Sequence, residues 1–203
     1  MFAFIGHWHR VGLVAYLLFL TPIRASAGYD EGVAAIKQGD FATAVKELRT
    51  AADKGDVRAE SLLGGMYLEG QGVPGNASLA AHWIGKAARS GWSPAQFQLG
   101  NMYRKGVGVP HDAVAAVEWY RKAAAQNLAA ALLSLGAAYF YGEGVTRDYV
   151  QAHAWFTVAL KGIGARDADI ARAKQGIAQS EARMSASEIG KARALAESWA
   201  PAK

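Results

Sequence analysis

The sequence predicts an all-α protein, a right-handed solenoid of antiparallel helix hairpins. Three observations predict it. The chain matches itself at a shift of 36 residues, and a fixed period of that size marks a stacked array. Within each half-unit the recurring residues fall at helical spacing. Glycine returns at the joints of every unit, where two helices must be connected.

The self-match is dense. Ala59, Ala95 and Ala131 share one column, followed by Leu63, Leu99 and Leu135 and then Gly64, Gly100 and Gly136. Tyr67, Tyr103 and Tyr139 form the next. Gly70-Gln71-Gly72-Val73 matches Gly106-Val107-Gly108-Val109 and Gly142-Glu143-Gly144-Val145. Ala80, Trp83 and Ala87 recur as Ala116, Trp119 and Ala123, then as Ala152, Trp155 and Ala159. Ten columns are identical in all three units, where composition alone would give fewer than about one.

The elements follow in chain order. Residues 1–27 read as a secretory signal peptide: His7, His9 and Arg10, an uncharged apolar run from Val11 to Leu20, Pro22, and the small-residue box Ala25-Ser26-Ala27. Cleavage is expected after Ala27. The apolar run is about half the roughly 20 residues of a spanning helix, and no later segment could span a membrane. The expected location is therefore periplasmic or secreted. Residues 28–56 form a degenerate first hairpin, with Gln38-Gly39-Asp40-Phe41 as its connection and Ala44, Leu48 and Ala51 as its second stripe. Residues 57–91, 92–127 and 128–162 are repeats 1, 2 and 3. In each, the Ala-Leu-Tyr stripe spaced i, i+4, i+8 lies on one helix face, and Ala-Trp-Ala at i, i+3, i+7 lies on another. Leu63, Gly64, Tyr67, Trp83, Leu99, Gly100, Tyr103, Trp119, Leu135, Gly136, Tyr139 and Trp155 are the expected repeat core, the aromatics filling space between units.

Capping signals set the boundaries. Gly70 suits the left-handed residue that ends a first helix. Asn76, Asp112 and Asp148 stand where second helices start. Ser93-Pro94 with Gln96 reads as a cap, an N1 proline and a capping box. Gly55 and Gly91 stop second helices. Residues 163–203 form the C-terminal cap: a helix from Arg166 to about Ala182 with Ile170, Ala173 and Ile177 inward, then a Ser185/Glu188 capping box. That box opens a last helix with Ile189, Ala192, Ala196 and Trp199 on its buried face. Terminal units must differ, because one of their faces has no neighbour.

These residues resemble the Sel-type (Sel-one-like) repeat family, relatives of the tetratricopeptide repeats. The family pattern is an alanine, L-G-x-x-Y-x-x-G-x-G-V, an acidic residue, A-x-x-W and an alanine pair before a closing glycine. The match covers residues 57–162. Residues 28–56 look more like a tetratricopeptide unit. Asn127 departs from the closing glycine, and Ala159-Leu160 from the alanine pair. The resemblance implies a binding scaffold with roles in envelope assembly, signalling or host contact.

Composition excludes several classes. The chain has 203 residues, 52% of them hydrophobic, 19% charged, and no cysteine. Disulfide scaffolds, thiolate zinc sites and cysteine nucleophiles are ruled out. Formal charge is +5, and beyond residue 27 it falls to +3 because Arg10 and Arg24 precede that point. Such balance does not suit a nucleic-acid binder. Gly70-x-Gly72-x-x-Gly75 formally matches a dinucleotide loop, but it follows a helix rather than a strand. His82, His111 and His153 lack metal-ligand spacing and read as surface or part-buried. There is no G-x-S-x-G elbow and no S-x-x-K. No catalytic residue, cofactor or metal is expected, and the chain does not read as an enzyme.

What remains is a surface. The first helices line the concave face of such an array. The stripe opposite the buried one holds Phe97, Asn101, Arg104 and Lys105 in repeat 2, Ser61, Gly65, Leu68 and Glu69 in repeat 1, and Leu133, Ala137, Phe140 and Tyr141 in repeat 3. These positions vary while the core columns stay fixed. Likeness to tetratricopeptide grooves implies that Asn101 and Arg104 bind a peptide backbone or carboxylate, with Phe97, Phe140 and Tyr141 seating apolar side chains. Lys105 joins them at the rim. The expected partner is a protein or peptide, in envelope function or signalling. The alternative is a fragment of peptidoglycan or another carbohydrate, with weak hydrolysis as its less favoured form.

Overall fold

A computed structural model describes residues 27–162 and 167–199. The expected signal sequence up to residue 26, and Arg166, lie outside them. Ten helices appear among the described residues. Four hairpins run in order: α1 (Ala27–Lys37) with α2 (Phe41–Asp53), α3 (Val57–Glu69) with α4 (Ala77–Arg89), α5 (Ser93–Lys105) with α6 (Ala113–Ala124), and α7 (Ala129–Tyr141) with α8 (Tyr149–Lys161), followed by α9 (Asp167–Glu181) and α10 (Ala186–Trp199). Each helix packs on the next, up to α8 on α9. The last helix departs from this order, since α10 folds back onto α8.

The caps are chemical. Asn76 Oδ1 accepts from Leu79 N at 3.0 Å, Asp112 Oδ1 from Ala115 N at 2.9 Å, and Asp148 Oδ1 from Val150 N at 2.8 Å. Each satisfies a donor the helix start leaves unpaired. Gly70, Gly106 and Gly142 close the first helices at φ 70°, 67° and 78°. Gly55 and Gly91 turn at φ 87° and 91°, and Asn127 takes their place at φ 59°. Asparagine tolerates that left-handed geometry better than most side chains do, so the departure in the pattern leaves the fold intact. The Ser185/Glu188 box forms as expected: Ser185 N donates to Glu188 Oε2 at 2.7 Å, and Glu188 N donates to Ser185 Oγ at 3.3 Å. The box expected at Ser93 does not form. Trp92 is the N-cap, without a side-chain bond. Gln96 instead donates to Ala88 O at 3.2 Å and accepts from Gln126 Nε2 at 2.9 Å.

Small residues set the packing distances. A methyl group on Gly64 would sit 2.5 Å from Ile84 Cγ1, and on Gly100 2.6 Å from Tyr120 Cε1. Phe156 is held from two sides: methyls on Gly136 and Gly176 would each come within 2.6 Å of its ring. The buried filler of each hairpin is thus the residue after the repeated tryptophan. Ile84, Tyr120 and Phe156 are buried, whereas Trp83, Trp119 and Trp155 are only half-buried. All three indoles pack against the core from its edge. The indoles lie along the flank, where Lys122 Nζ stands 3.9 Å from the Trp119 centroid and Trp155 stacks on Trp199 at 4.3 Å. Tyr67 is buried, but Tyr103 and Tyr139 are half-buried, because the tyrosine hydroxyls reach the edge of the stack. There Arg49 donates to Tyr67 and Arg121 donates to Tyr139. Leu63, Leu99, Leu135 and the column glycines are buried as expected.

The cap differs in detail. The inward face of α9 is Asp169, Ala173, Gly176 and Ser180, with Ile170 and Ile177 on its flank. Gly176 must face Phe156, and this turns the helix by one residue from the expected stripe. His153, expected near the surface, is buried at 1% exposure beneath α9. Its Nε2 lies 3.2 Å from Glu181 Oε1, which also accepts from Arg193 Nη2 at 3.0 Å. The three groups tie α8, α9 and α10 together.

Candidate functional site

Three cavities lie along the first helices. One is lined by Tyr29, Arg58, Ser61 and neighbours from α3 and α5. A second, of about 240 Å³, lies between α5, α6 and α7 and is walled by Arg104, Tyr120, Ser134, Tyr141 and Glu143. The largest, of about 490 Å³, opens between α5, α7 and α9. The last two share Ser134, Ala137 and Tyr141, so they adjoin along one face of α7.

The sequence-predicted residues divide here. Phe97, Phe140 and Tyr141 all line the largest cavity. Tyr141 stands up from its edge at 65% exposure. Phe140 is covered at 8% exposure, packed 5.0 Å from Tyr141 and 5.3 Å from Tyr149, with the Arg183 guanidinium 4.9 Å above its ring. It is floor rather than an exposed anchor, because the first turn of α8 closes over it. Leu133 is likewise buried floor. Phe97 is half-buried, 5.8 Å from the Tyr120 ring. In repeat 1 the corresponding stripe is more closed: Ser61 is buried and donates to Gln98 Oε1 at 3.2 Å.

Asn101 and Arg104 meet on one atom. The Tyr120 hydroxyl donates to Asn101 Oδ1 at 2.8 Å and accepts from Arg104 Nε at 3.3 Å. Burial pushes the Tyr120 hydroxyl up from its ordinary pKa, with the Arg104 hydrogen bond opposing. The phenol therefore stays neutral and holds both partners. With Nε engaged, the terminal nitrogens of Arg104 remain, and the residue lines the second cavity. A guanidinium held at Nε keeps the fork geometry that suits a carboxylate. Arg104 makes no ion pair among the described residues. Lys105 is exposed beside it.

Sequence reasoning missed part of this surface. Tyr120 fills a column that changes from isoleucine to tyrosine to phenylalanine, so identity matching passes over it. Its signal is a large apolar residue after every tryptophan. Arg172, Gln175, Gly176 and Gln179 come from α9, outside the repeats. Their signal is the i, i+3, i+4, i+7 spacing on a cap helix that also serves as wall. No group of three or more histidine or acidic residues placed to hold a metal occurs among the described residues.

Comparison with known proteins agrees with this architecture. The Sel1 repeat pattern matches residues 57–92, 93–128 and 129–162. Among solved structures, the chain is similar to a protective antigen of uropathogenic Escherichia coli strains that displays an SLR fold. Identity is 31% and the TM-score 0.69, over 83% of this chain and 39% of that one. It is also similar to a Sel1 repeat protein from Oxalobacter formigenes, at 36% identity and TM-score 0.62, over 66% of this chain and 53% of that one. The chain thus spans about half or less of these relatives. No curated protein matches.

Proposed function

The chain belongs to the Sel1 repeat family, and on that premise we propose that it is an exported scaffold holding a peptide segment of a partner protein in its groove. Sel1 repeats generally mediate protein interactions. Export is read from residues 1–27, and an envelope role goes with it. No described helix is long and apolar enough to cross a membrane. The chain acts by binding in this account: the groove offers shape, one fixed cation and aromatic edges, and none of its groups is arranged as nucleophile and base.

One observation carries the reading. Tyr120 ties Asn101 to Arg104 through a single hydroxyl, and Arg104 lines the cavity between α5, α6 and α7. An array that needed only stability could fill that position with phenylalanine, as it does at Phe156. The test is crosslinking in the native host with a tagged full-length chain, followed by mass spectrometry. One dominant envelope protein should be captured, and Asn101→Ala with Arg104→Ala should abolish capture while helicity is unchanged. Undiminished capture by that variant would remove the groove from the account. Enrichment of cell-wall glycan fragments in place of a protein would turn it to carbohydrate binding.

A further inference from the structure

The groove reading leaves open what kind of segment is held, and the cavity under α9 bears on that. It is floored by Leu133, Phe140 and Phe156 and edged by Tyr141, Ser134, Gln175 and Gln179. Its volume of about 490 Å³ suits a few side chains, not a folded domain. Gln175 and Gln179 are exposed on the α9 face that borders it. Neither side-chain amide has a hydrogen-bond partner among the described residues.

Spacing distinguishes ligand shapes. Residues i and i+4 on a helix are about 6 Å apart along its axis. Two residues of an extended chain span roughly 6.6 Å. A primary amide carries both a donor and an acceptor, the complement of a peptide group. Two such amides therefore meet alternate peptide units of an extended chain. The side chain between those units then points into the apolar floor, and its neighbours point out along the rim.

Charge decides the neighbours. Helix α7, which forms the middle of the wall, has no charged residue. Arg172, which is paired with Asp169, lines this cavity, and Arg104, in no ion pair among the described residues, lines the adjoining one. Glu143 lines the adjoining cavity. Along the two adjoining cavities Arg104 and Arg172 outnumber the one lining acid, Glu143, and a carboxylate complements the excess.

We propose that the α5–α7–α9 cavity seats an extended peptide segment. One large apolar or aromatic side chain is buried on Leu133, Phe140 and Phe156. Its backbone is held by Gln175 and Gln179, and an aspartate or glutamate side chain beside it reaches Arg104 in the adjoining cavity. This rests on the groove reading and adds its specificity. The cap helix is then a recognition element as well as an end-piece.

The experiment uses the full chain and a fluorescein-labelled positional-scanning library of acetylated hexapeptide amides, read by anisotropy. Pools with phenylalanine, tyrosine, tryptophan or leucine at one position and aspartate or glutamate near it should bind best. Their binding should weaken as sodium chloride rises. Tyr141→Ala, and separately the Gln175→Ala/Gln179→Ala pair, should each weaken the best pool at least about tenfold, as loss of a central contact does. All these positions are exposed, so circular dichroism should show folding unchanged. Selection of basic pools, absence of selection, or equal binding by both variants would overturn the inference. Selective binding that Asn101→Ala/Arg104→Ala abolishes but the α9 variant does not would overturn this inference and leave the groove reading standing. A preference for soluble glycan fragments over every peptide pool would overturn both.

Discussion

Replacing Gly108 with alanine tests how the units are locked together. Gly108 sits in the connection of repeat 2 at φ 72°, pressed on the first turn of α4 in repeat 1. An added methyl would collide with the Ala77 carbonyl oxygen and lie 2.6 Å from its carbon. Reaching ordinary contact at 3.4 Å with that carbon alone requires the two backbones to part by about 0.8 Å, and the nearer oxygen requires more. Gly91 provides the control. It also has a positive φ, 91°, but an added methyl there meets nothing within 4 Å. Both variants carry the left-handed penalty of roughly 1–2 kcal/mol. Only Gly108→Ala adds overpacking, typically about 1–3 kcal/mol. It should therefore lose roughly 2–5 kcal/mol in all, against about 1–2 for Gly91→Ala. Urea unfolding followed by circular dichroism reads both. Because Gly108 joins two units, its variant should also unfold over a broader range, as weakened coupling between repeats does. Equal losses in the two variants would refute the reasoning, since the contact would then add nothing to the backbone strain.

Three further outcomes follow from the same structure. Asn127→Ala should cost about 1 kcal/mol and Asn127→Gly should be neutral or slightly stabilising; the reverse order in urea midpoints would show that the amide, not its backbone, matters. The hydrogen bond from His153, with that from Arg193, holds the Glu181 carboxyl below its ordinary value of 4.5. As pH falls, the unfolded chain takes up that proton first, so the stabilisation stands above pH 4.5 and fades below it. Between about pH 5 and about pH 3.5 the urea midpoint should fall less in Glu181→Gln than in the parent, and parallel falls would contradict the cap lock. Tyr120→Phe should leave Asn101 Oδ1 and Arg104 Nε without their shared partner at a cost of about 1 kcal/mol. It should also weaken partner capture, and full capture would show that Arg104 needs no such support.

Much of this fold is legible in the sequence because identity recurs where geometry is strictest. Gly64, Gly100 and Gly136 repeat because a methyl there would strike the facing side chain. Asn76, Asp112 and Asp148 are legible because capping is a local bond. The buried filler at Ile84, Tyr120 and Phe156 is harder to read. Its requirement is volume, and three different residues meet it. The tryptophans repeat in identity although they pack on the core from its flank, half-buried. The inward face of α9 escapes a hydrophobic count because Gly176, set against Phe156 of α8, and Ser180 are buried while Ile170 and Ile177 are only half-buried. The candidate site is legible in outline from the stripe of Phe97, Asn101, Arg104, Phe140 and Tyr141. Its support by Tyr120 and its α9 wall depend on contacts between helices distant in the chain.

The measurement that bears most directly on the account is a photocrosslinking scan in the native host. Benzoylphenylalanine would replace, one at a time, Lys105, Tyr141 and Gln175 on the groove side and His82 and Glu118, exposed on the second helices. The account predicts an adduct to the same partner from all three groove positions and none from the other two. Adducts confined to His82 and Glu118 would contradict it and move the binding surface to the opposite row of helices.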